Sequence, residues 1–406
     1  MTVKGDNMTG VRKNNRSAVL SALQLCDGAS RKKLSEKIRL TPAAITNITA
    51  ELIEESLIKE VATLKSSSAG RREVVLKIDP QAGIALGVLL NLRIATVSAT
   101  YLDGSVIFSE DVALTREAPA DETVALLSER LAALMKKAKI DPKKIIGLGL
   151  AIRGIPTGDR RSVKDSYSAL AEKNYPIADA FERALHIPVV LENNVRAMFS
   201  AEMFLRRASS DSEFFLRCEY GIGASVVTNG MIYRGSGEQS AEIGHINVIP
   251  KGGKLCSCGR YGCLETVASP NAIIEDVTQI FSESETPILY RIVKEKQHQE
   301  ITIEDIMQAA AYEEPLVETI VDRAVKHLSY ALHSVVYLLD PARITLYGRM
   351  FESEYCLSRL YNEMTKRVGD THHVEIRKSD YNEQLENRCA PLLAISEFYR
   401  NGGYRL

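Results

Sequence analysis

Glu242-Ile243-Gly244-His245 is followed, after ten intervening residues, by Cys256-Ser257-Cys258-Gly259-Arg260-Tyr261-Gly262-Cys263-Leu264-Glu265. Three of the seven cysteines of the chain fall in this run. Thiolates and imidazole are the ligands Zn²⁺ prefers, and three cysteines with one histidine make a closed tetrahedral set that leaves no position for a reactive water. His245, Cys256, Cys258 and Cys263 are therefore expected to hold a structural zinc. Gly252, Gly253, Gly259 and Gly262 allow the backbone to fold tightly around one ion. No polar general base stands beside the cluster as a hydrolytic zinc site requires. Cys26, Cys218, Cys356 and Cys389 stand alone in the sequence and are expected to pack in cores.

Outward from this run, residues 79–406 read as α/β. Ile84–Leu90 and Ala95–Tyr101 have the pattern of a hairpin, and Asp103-Gly104 turns the chain into a third run, Val106–Ser109. A helix is expected over about Ala120–Lys139. Ile145–Ile152 and Ile187–Glu192 read as buried parallel strands, the second ending in Asn193-Asn194. Phe214–Cys218 and Ala224–Thr228 begin a second, similar half, with a long helix over Leu316–Leu339 and a late strand, Ile344–Tyr347. Two βββαβα-like halves with a cleft between them are expected.

The first eighty residues differ in charge and in pattern. They carry fourteen basic and nine acidic residues, a balance of +5, so the chain's net charge of −1 leaves −6 for the remainder. A basic end on an acidic protein suggests a polyanionic partner. Ala18, Val19, Ala22, Leu23 and Leu25 form a helical stripe that stops at Asp27-Gly28. Ser30 is placed to cap a second, short helix with Leu34 and Ile38 inward. Thr41-Pro42 then opens a third helix as N-cap and first-turn proline. Its inward stripe is Ile45, Ile48, Leu52 and Ile53, and its outward face carries Thr46, Asn47 and Ala50. Two β-like runs, Leu57–Val61 and Val74–Ile78, flank Lys65–Arg72, a flexible basic hairpin tip. Helix, short helix, turn, longer helix and a basic wing make a winged helix-turn-helix that binds double-stranded DNA. Thr41, Thr46 and Asn47 are the expected base readers, and Arg31, Lys32, Arg71 and Arg72 the expected phosphate or minor-groove contacts.

With 406 residues, two or three domains are expected. The apolar and charged fractions, 45% and 25%, exclude bulk disorder and low-complexity structure. No apolar run is long enough to span a membrane, and Met1–Arg16 lacks the apolar core of a secretory signal, so a cytoplasmic protein without membrane insertion is expected. Seven cysteines, sparse and odd in number, do not form a disulfide framework.

Taken together, these motifs resemble the signature of the ROK family (repressors, open reading frames, kinases). The Glu242–His245 segment and the cysteine run through Glu265 carry the resemblance. Gly221-Ile222-Gly223-Ala224 and Asn229-Gly230 resemble the family's second phosphate-loop hairpin, Leu191–Asn194 its sugar-binding strand end, and Asp340–Ile344 before Gly348 its late nucleotide-side strand. The front domain is similar to that of the family's repressor branch. The resemblance implies a two-lobed actin-like ATPase (ribonuclease H-like) fold behind the winged domain. It implies domains over 1–80, 81–195 and 196–406, the C-terminal helix packing back on the first lobe, and a homodimer or homotetramer. It also implies that Asn193, Glu242, His245 and Glu265 contact a sugar, His245 through the ring nitrogen not given to zinc, with Asn194, Arg153 and Gly154 completing the expected sugar site.

The departures from the family pattern bear on activity. The kinases' strand end supplies an Asp as general base; this chain has Asn194, which accepts no proton near neutral pH. The Asp-x-Gly-x-Thr pattern of the first phosphate loop is replaced by Leu89-Leu90-Asn91-Leu92-Arg93. Arg153-Gly154 stands for Pro-Gly, Gly348-Arg349 for Gly-Gly, and Ser225 for a loop glycine. The expectation is a kinase-inactive repressor of carbohydrate metabolism that responds to a sugar or, if Arg153 pairs with an anion, to a sugar phosphate. A sugar kinase with a DNA-binding arm is the first alternative. The second is a repressor gated by a transporter component docking on an exposed tail, Phe398 and Tyr399.

Overall fold

The computed structural model describes residues 8–64, 73–115, 118–164, 170, 172–207, 211–369 and 373–405. The chain divides into two compact units. The first is Met1–Ser209 with Glu383–Leu406, and the second is Ser210–Asn382.

The first unit opens with three helices, α1 (Met8–Cys26), α2 (Arg31–Ile38) and α3 (Pro42–Glu54), and two strands that pair antiparallel, β2 (Ile58–Leu64) and β3 (Glu73–Ile78). A two-residue strand, β1 (Ala29–Ser30), adds to the free side of β3 and was not legible in the sequence. The helix starts follow local chemistry. Ser30 Oγ accepts from Lys33 N, and Thr41 Oγ1 accepts from Ala44 N ahead of Pro42, so both hydroxyls satisfy otherwise orphaned amides. Leu20, Leu23, Leu34, Ile45, Leu52 and Leu76 close the core. Ile53 is only half-buried; Thr49 takes the inward position instead. The strands also shift against expectation, β2 starting at Ile58 and running on to Leu64.

Behind these elements lies a five-stranded sheet of β4 (Ile84–Leu90), β5 (Ile94–Tyr101), β6 (Val106–Ala113), β7 (Ile145–Ile152) and β8 (Val189–Asn193), in the order β6-β5-β4-β7-β8. The first three are antiparallel; β7 and β8 run parallel to β4. The last strand begins at Val189, two residues later than its apolar run suggests, because Ile187-Pro188 still belongs to the turn. α4 (Ala120–Lys137) and α5 (Ile177–Leu185) cover one face, and α6 (Asn194–Arg206) follows β8 directly.

The second unit repeats this order with β9 (Ser212–Cys218), β10 (Ile222–Thr228), β11 (Met231–Tyr233), β12 (Arg343–Tyr347) and β13 (Glu375–Lys378), arranged β11-β10-β9-β12-β13. Helices α7 (Glu265–Ala268), α8 (Pro270–Thr278), α9 (Pro287–Glu295), α10 (Ile303–Ala311), α11 (Pro315–Leu339) and α12 (Glu354–Val368) build its core around Phe214, Leu216, Ile344 and Leu346. Cys218 and Cys356 are buried in this same core, where desolvation raises both thiols. Cys26, in contrast, is half-exposed beside Lys37 Nζ at 3.5 Å, so it is not a core residue.

The last helix, α13 (Asn382–Arg400), returns to the first unit. It packs so closely on the sheet that a Cβ at Gly149 would lie 1.7 Å from Ala390 O, and one at Gly87 2.1 Å from Pro391 Cδ. Its end reaches the N-terminal helices. Arg16, fully buried on α1, donates from Nε to Gly402 O at 2.8 Å and from Nη1 to Glu55 and Glu51 at 2.8 and 3.3 Å, and its guanidinium lies over the Tyr404 ring. Asp27 pairs with Arg207 at 2.9 Å, and Gln24 Nε2 donates to Phe204 O. Phe398 and Tyr399 are 3% and 4% exposed, which overturns the expectation of an exposed docking tail. Tyr399 donates its hydroxyl to Leu102 O, and burial raises its pKa well above the usual tyrosine value.

Candidate functional site

The site begins with the metal-ligating cluster in the second unit. The ligand atoms of His245, Cys256, Cys258 and Cys263 all lie within 4.8 Å of one another. Cys256 Sγ is 3.5 Å from His245 Nδ1 and Cys258 Sγ is 3.6 Å from Cys263 Sγ. Zn–S and Zn–N bonds at tetrahedral angles place ligand atoms about 3.5–3.8 Å apart, so the cluster fits one such ion. The backbone explains the geometry. Leu255 bridges Tyr261, Cys256 N donates to Arg260 O, and Gly259 N donates back to Cys256 O, which makes a tight knuckle. Gly259 and Gly262 take φ of +80° and +71°, and at Gly262 a Cβ would meet Ile249 O at 2.0 Å. Burial opposes ionisation of Cys258, but the Arg260 backbone and side chain and the adjoining thiols outweigh it and draw the thiol down to about 7. Burial and the same thiols push Cys263 up.

Around the cluster, the expected sugar contacts take different positions. Glu242 is exposed and precedes the single 3₁₀ turn Ile243–His245, its backbone oxygen accepting from His245 N at 3.1 Å. Glu265 is half-buried and turned onto the β9–β10 turn, where its Oε2 accepts from Ile222 N at 3.0 Å. A Cβ at Gly221 would lie 2.2 Å from that oxygen. Glu265 therefore braces the glycine-containing turn, a role that sequence reading missed; the glycine itself was the available signal. Gly348 approaches Cys218 O with φ of +135°, leaving 1.9 Å for a Cβ. Arg349 N donates to Glu219 Oε1 and its guanidinium pairs with Glu304.

In the first unit, the strand ends gather a second set of residues. Asn193 is the N-cap of α6: its Oδ1 accepts from Val195 N and Arg196 N, and its Nδ2 donates to Gly154 O at 3.0 Å. One amide proton is left over for a ligand. Asn194, 4% exposed, donates from Nδ2 to Asn91 Oδ1 at 3.4 Å. Two amides thus meet at these strand ends. Arg153 is half-buried at the end of β7, and Gly154 beside it has φ of +135°. Glu192 is buried and paired with Arg196 and Arg160, a network without a sequence signature.

Among the expected DNA contacts, Thr41 at the N-cap of α3, Thr46 and Asn47 along it, and Lys32 on α2 are all exposed. Arg31 is held inward instead. Its Nε donates to Thr49 Oγ1 at 3.0 Å and its Nη2 pairs with Glu60 at 3.2 Å. Arg71 and Arg72, with the rest of the basic tip, lie outside the described residues.

Comparisons with known proteins agree on one assignment. The profile of the ROK family matches residues 95–395. The DNA-binding transcriptional dual regulator NagC of Escherichia coli (strain K12) is 28% identical over 357 residues, covering 86% of this chain and 84% of that protein. A crystal structure of a ROK family transcriptional regulator, a homolog of the E. coli MLC protein, superposes with a TM-score of 0.77 at 26% identity and covers 97% of both chains. A ROK family glucokinase from Streptomyces griseus, in complex with glucose and AMPPNP, shares the fold with a TM-score of 0.63 at 19% identity; it covers 78% of this chain and 98% of its own.

Proposed function

The chain belongs to the ROK family, and on that premise we propose that it is a DNA-binding transcriptional regulator, a repressor of carbohydrate genes released by a sugar or sugar phosphate. The observation that carries this reading is coverage. A regulator of the family matches the chain along 97% of its length, whereas the glucokinase is almost wholly accounted for by 78% of it. The surplus accommodates the N-terminal head, whose helices α2 and α3, with β2 and β3, form a winged helix-turn-helix. α3 enters the major groove, and Lys32 and the basic wing follow the phosphates. The chain works as a homodimer or homotetramer, so that paired heads meet a roughly palindromic operator.

Within the first unit, Asn193 and Arg153 are the candidate effector contacts; Glu242 and His245 are the candidates within the second, each set taken by itself. Asn193 has one amide proton left for a sugar hydroxyl, and Arg153 suits an anionic group. His245, Cys256, Cys258 and Cys263 would hold a structural zinc, which would fix the His245 ring through Nδ1 and orient its Nε2. Glu265 supports the site through the β9–β10 turn. Phosphoryl transfer is not part of this function, because Asn194 is no general base and Leu89 stands where the first phosphate loop has its Asp. Ligand binding shifts DNA affinity by its preference between the two states of the repressor.

Selection of bound sequences from a random DNA library, repeated with sugars and sugar 6-phosphates, tests the proposal. A recurrent palindromic site lost with one ligand class is expected; failure to enrich any sequence defeats it. Calorimetric titration of neutral sugars against their 6-phosphates, with wild type and Arg153→Ala, decides the effector class. Equal affinity for both removes the phosphate.

A further inference from the structure

Thr41 at the N-cap of α3 and Thr46 and Asn47 along it are all exposed, but they differ in what their polar atoms already do. Thr41 Oγ1 is committed to Ala44 N as the helix cap. Thr46 Oγ1 donates back to Pro42 O at 2.8 Å. Thr49 is buried, with its hydroxyl between Thr46 O and Arg31 Nε. Asn47 is exposed, and neither its carbonyl nor its amino group is engaged within the described residues. Its exposed neighbours on the same side, Ala43, Thr46 and Ala50, end at Cβ or one atom beyond, and Glu51, one turn on, is held by Arg12 and Arg16.

Composition narrows what Asn47 can read. The helix Pro42-Ala43-Ala44-Ile45-Thr46-Asn47-Ile48-Thr49-Ala50-Glu51-Leu52-Ile53-Glu54 holds no Arg, Lys or Gln. Guanine is read in the major groove by the paired donors of Arg or Lys, which α3 lacks. Adenine presents an acceptor at N7 beside a donor at N6, and a free carboxamide matches both at once. From these observations we infer that Asn47 is the principal specificity-determining residue of the head. It reads one adenine in each operator half-site through a bidentate pair, while Thr41 and Thr46 serve the helix itself. The inference rests on the DNA-binding reading above and deepens it.

The two are separable by experiment. Full-length wild type and Asn47→Ala are each put through selection from a random duplex library, and affinities are measured on the wild-type consensus and on unrelated duplex. Asn47 makes no internal bond, so the variant should keep the wild-type melting temperature and affinity for unrelated duplex. Wild type should select adenine at one position per half-site. Asn47→Ala should lose the preference at that position alone, with binding to the consensus weakened roughly 10- to 100-fold. Replacing that adenine by 7-deazaadenine, which lacks the N7 acceptor, should weaken wild type but leave Asn47→Ala unaffected. An unchanged adenine preference in Asn47→Ala, or an equal 7-deaza penalty in both proteins, overturns the inference while the DNA-binding reading stands. A wild type that enriches no sequence overturns both.

Discussion

The two five-stranded sheets have the same order, three antiparallel strands followed by two parallel ones, yet their corresponding strand ends carry opposite chemistry. In the first unit, the turn after β4 and the end of β8 present Asn91 and Asn194, polar but uncharged and in contact with each other. In the second, the corresponding turn after β9 is glycine-containing and braced by Glu265, close in sequence to a metal-ligating knuckle. The units also close differently. The second is one continuous segment, whereas the first needs residues from both ends of the chain. The comparison teaches that the repeated sheet is a scaffold only, and that what each copy does is set by a few side chains at its strand ends.

The largest effect that would break this contrast concerns the metal. Cys258→Ala should abolish stoichiometric zinc, read by elemental analysis, and cost about 4 kcal/mol or more, because losing a structural metal belongs among the largest single-site effects. Hydrogen exchange should show the loss concentrated in the second unit; equal loss in both units would end the idea of separate supports. The counterpart in the first unit is Arg16. Arg16→Ala leaves the buried Gly402 carbonyl without its donor and should cost about 1–3 kcal/mol in urea unfolding. A cost below about 1 kcal/mol would mean the buried cation contributes little beyond a surface pair.

A smaller, pH-dependent effect distinguishes the second unit. Asp305 is buried, and although burial raises its carboxyl, Lys296, His298 and Thr302 outweigh it and hold the group at about 2, from an ordinary 3.8. Lys296 Nζ and His298 Nδ1 each stand 2.8 Å from its oxygens. A depressed pKa stabilises the fold fully above the unfolded value, so this contribution is present above about pH 4 and is lost as pH falls towards 2. It amounts to about 2 kcal/mol. Asp305→Asn should flatten that part of the acid unfolding curve, and an unchanged curve would remove Asp305 from the account. The smallest expected effect is none. Asn194→Asp restores a carboxylate beside Asn91, but coupled ADP-release assays across a sugar panel should stay at background, because the first phosphate loop is still missing. Clear turnover would turn the first unit back into a catalytic one.

Features fixed by neighbours in sequence were legible from the start. The four candidate metal ligands sit within nineteen positions of each other, and the caps at Ser30 and Thr41 act three residues away. The repeated βββαβα pattern was visible because buried parallel strands such as Ile145–Ile152 are continuously apolar. What escaped depends on distance along the chain. Arg16 looked like one more basic residue on a basic head, because its partner Gly402 lies 386 positions away. Phe398 and Tyr399 looked like an exposed tail because the groove that buries them is made by earlier elements. Glu265 looked like a simple sugar contact because its bond to Ile222 N crosses a chain reversal. Arg31 looked like a free cation because Thr49 and Glu60 arrive from other elements.

The closure of the first unit by Gly402 and Tyr404 bears on how the protein is made. A ribosome delivers Arg16, on α1, 386 residues before its partner Gly402. Throughout synthesis, the guanidinium of Arg16 lacks the carbonyl and the ring that complete its burial, and the sheet at Gly87 and Gly149 lacks the helix that covers it. The second unit, emerging as one uninterrupted stretch, has every strand in hand before the chain is finished. A chain that stops short of Gly402 would thus carry α1 to α3 while lacking the carbonyl and the ring that hold Arg16.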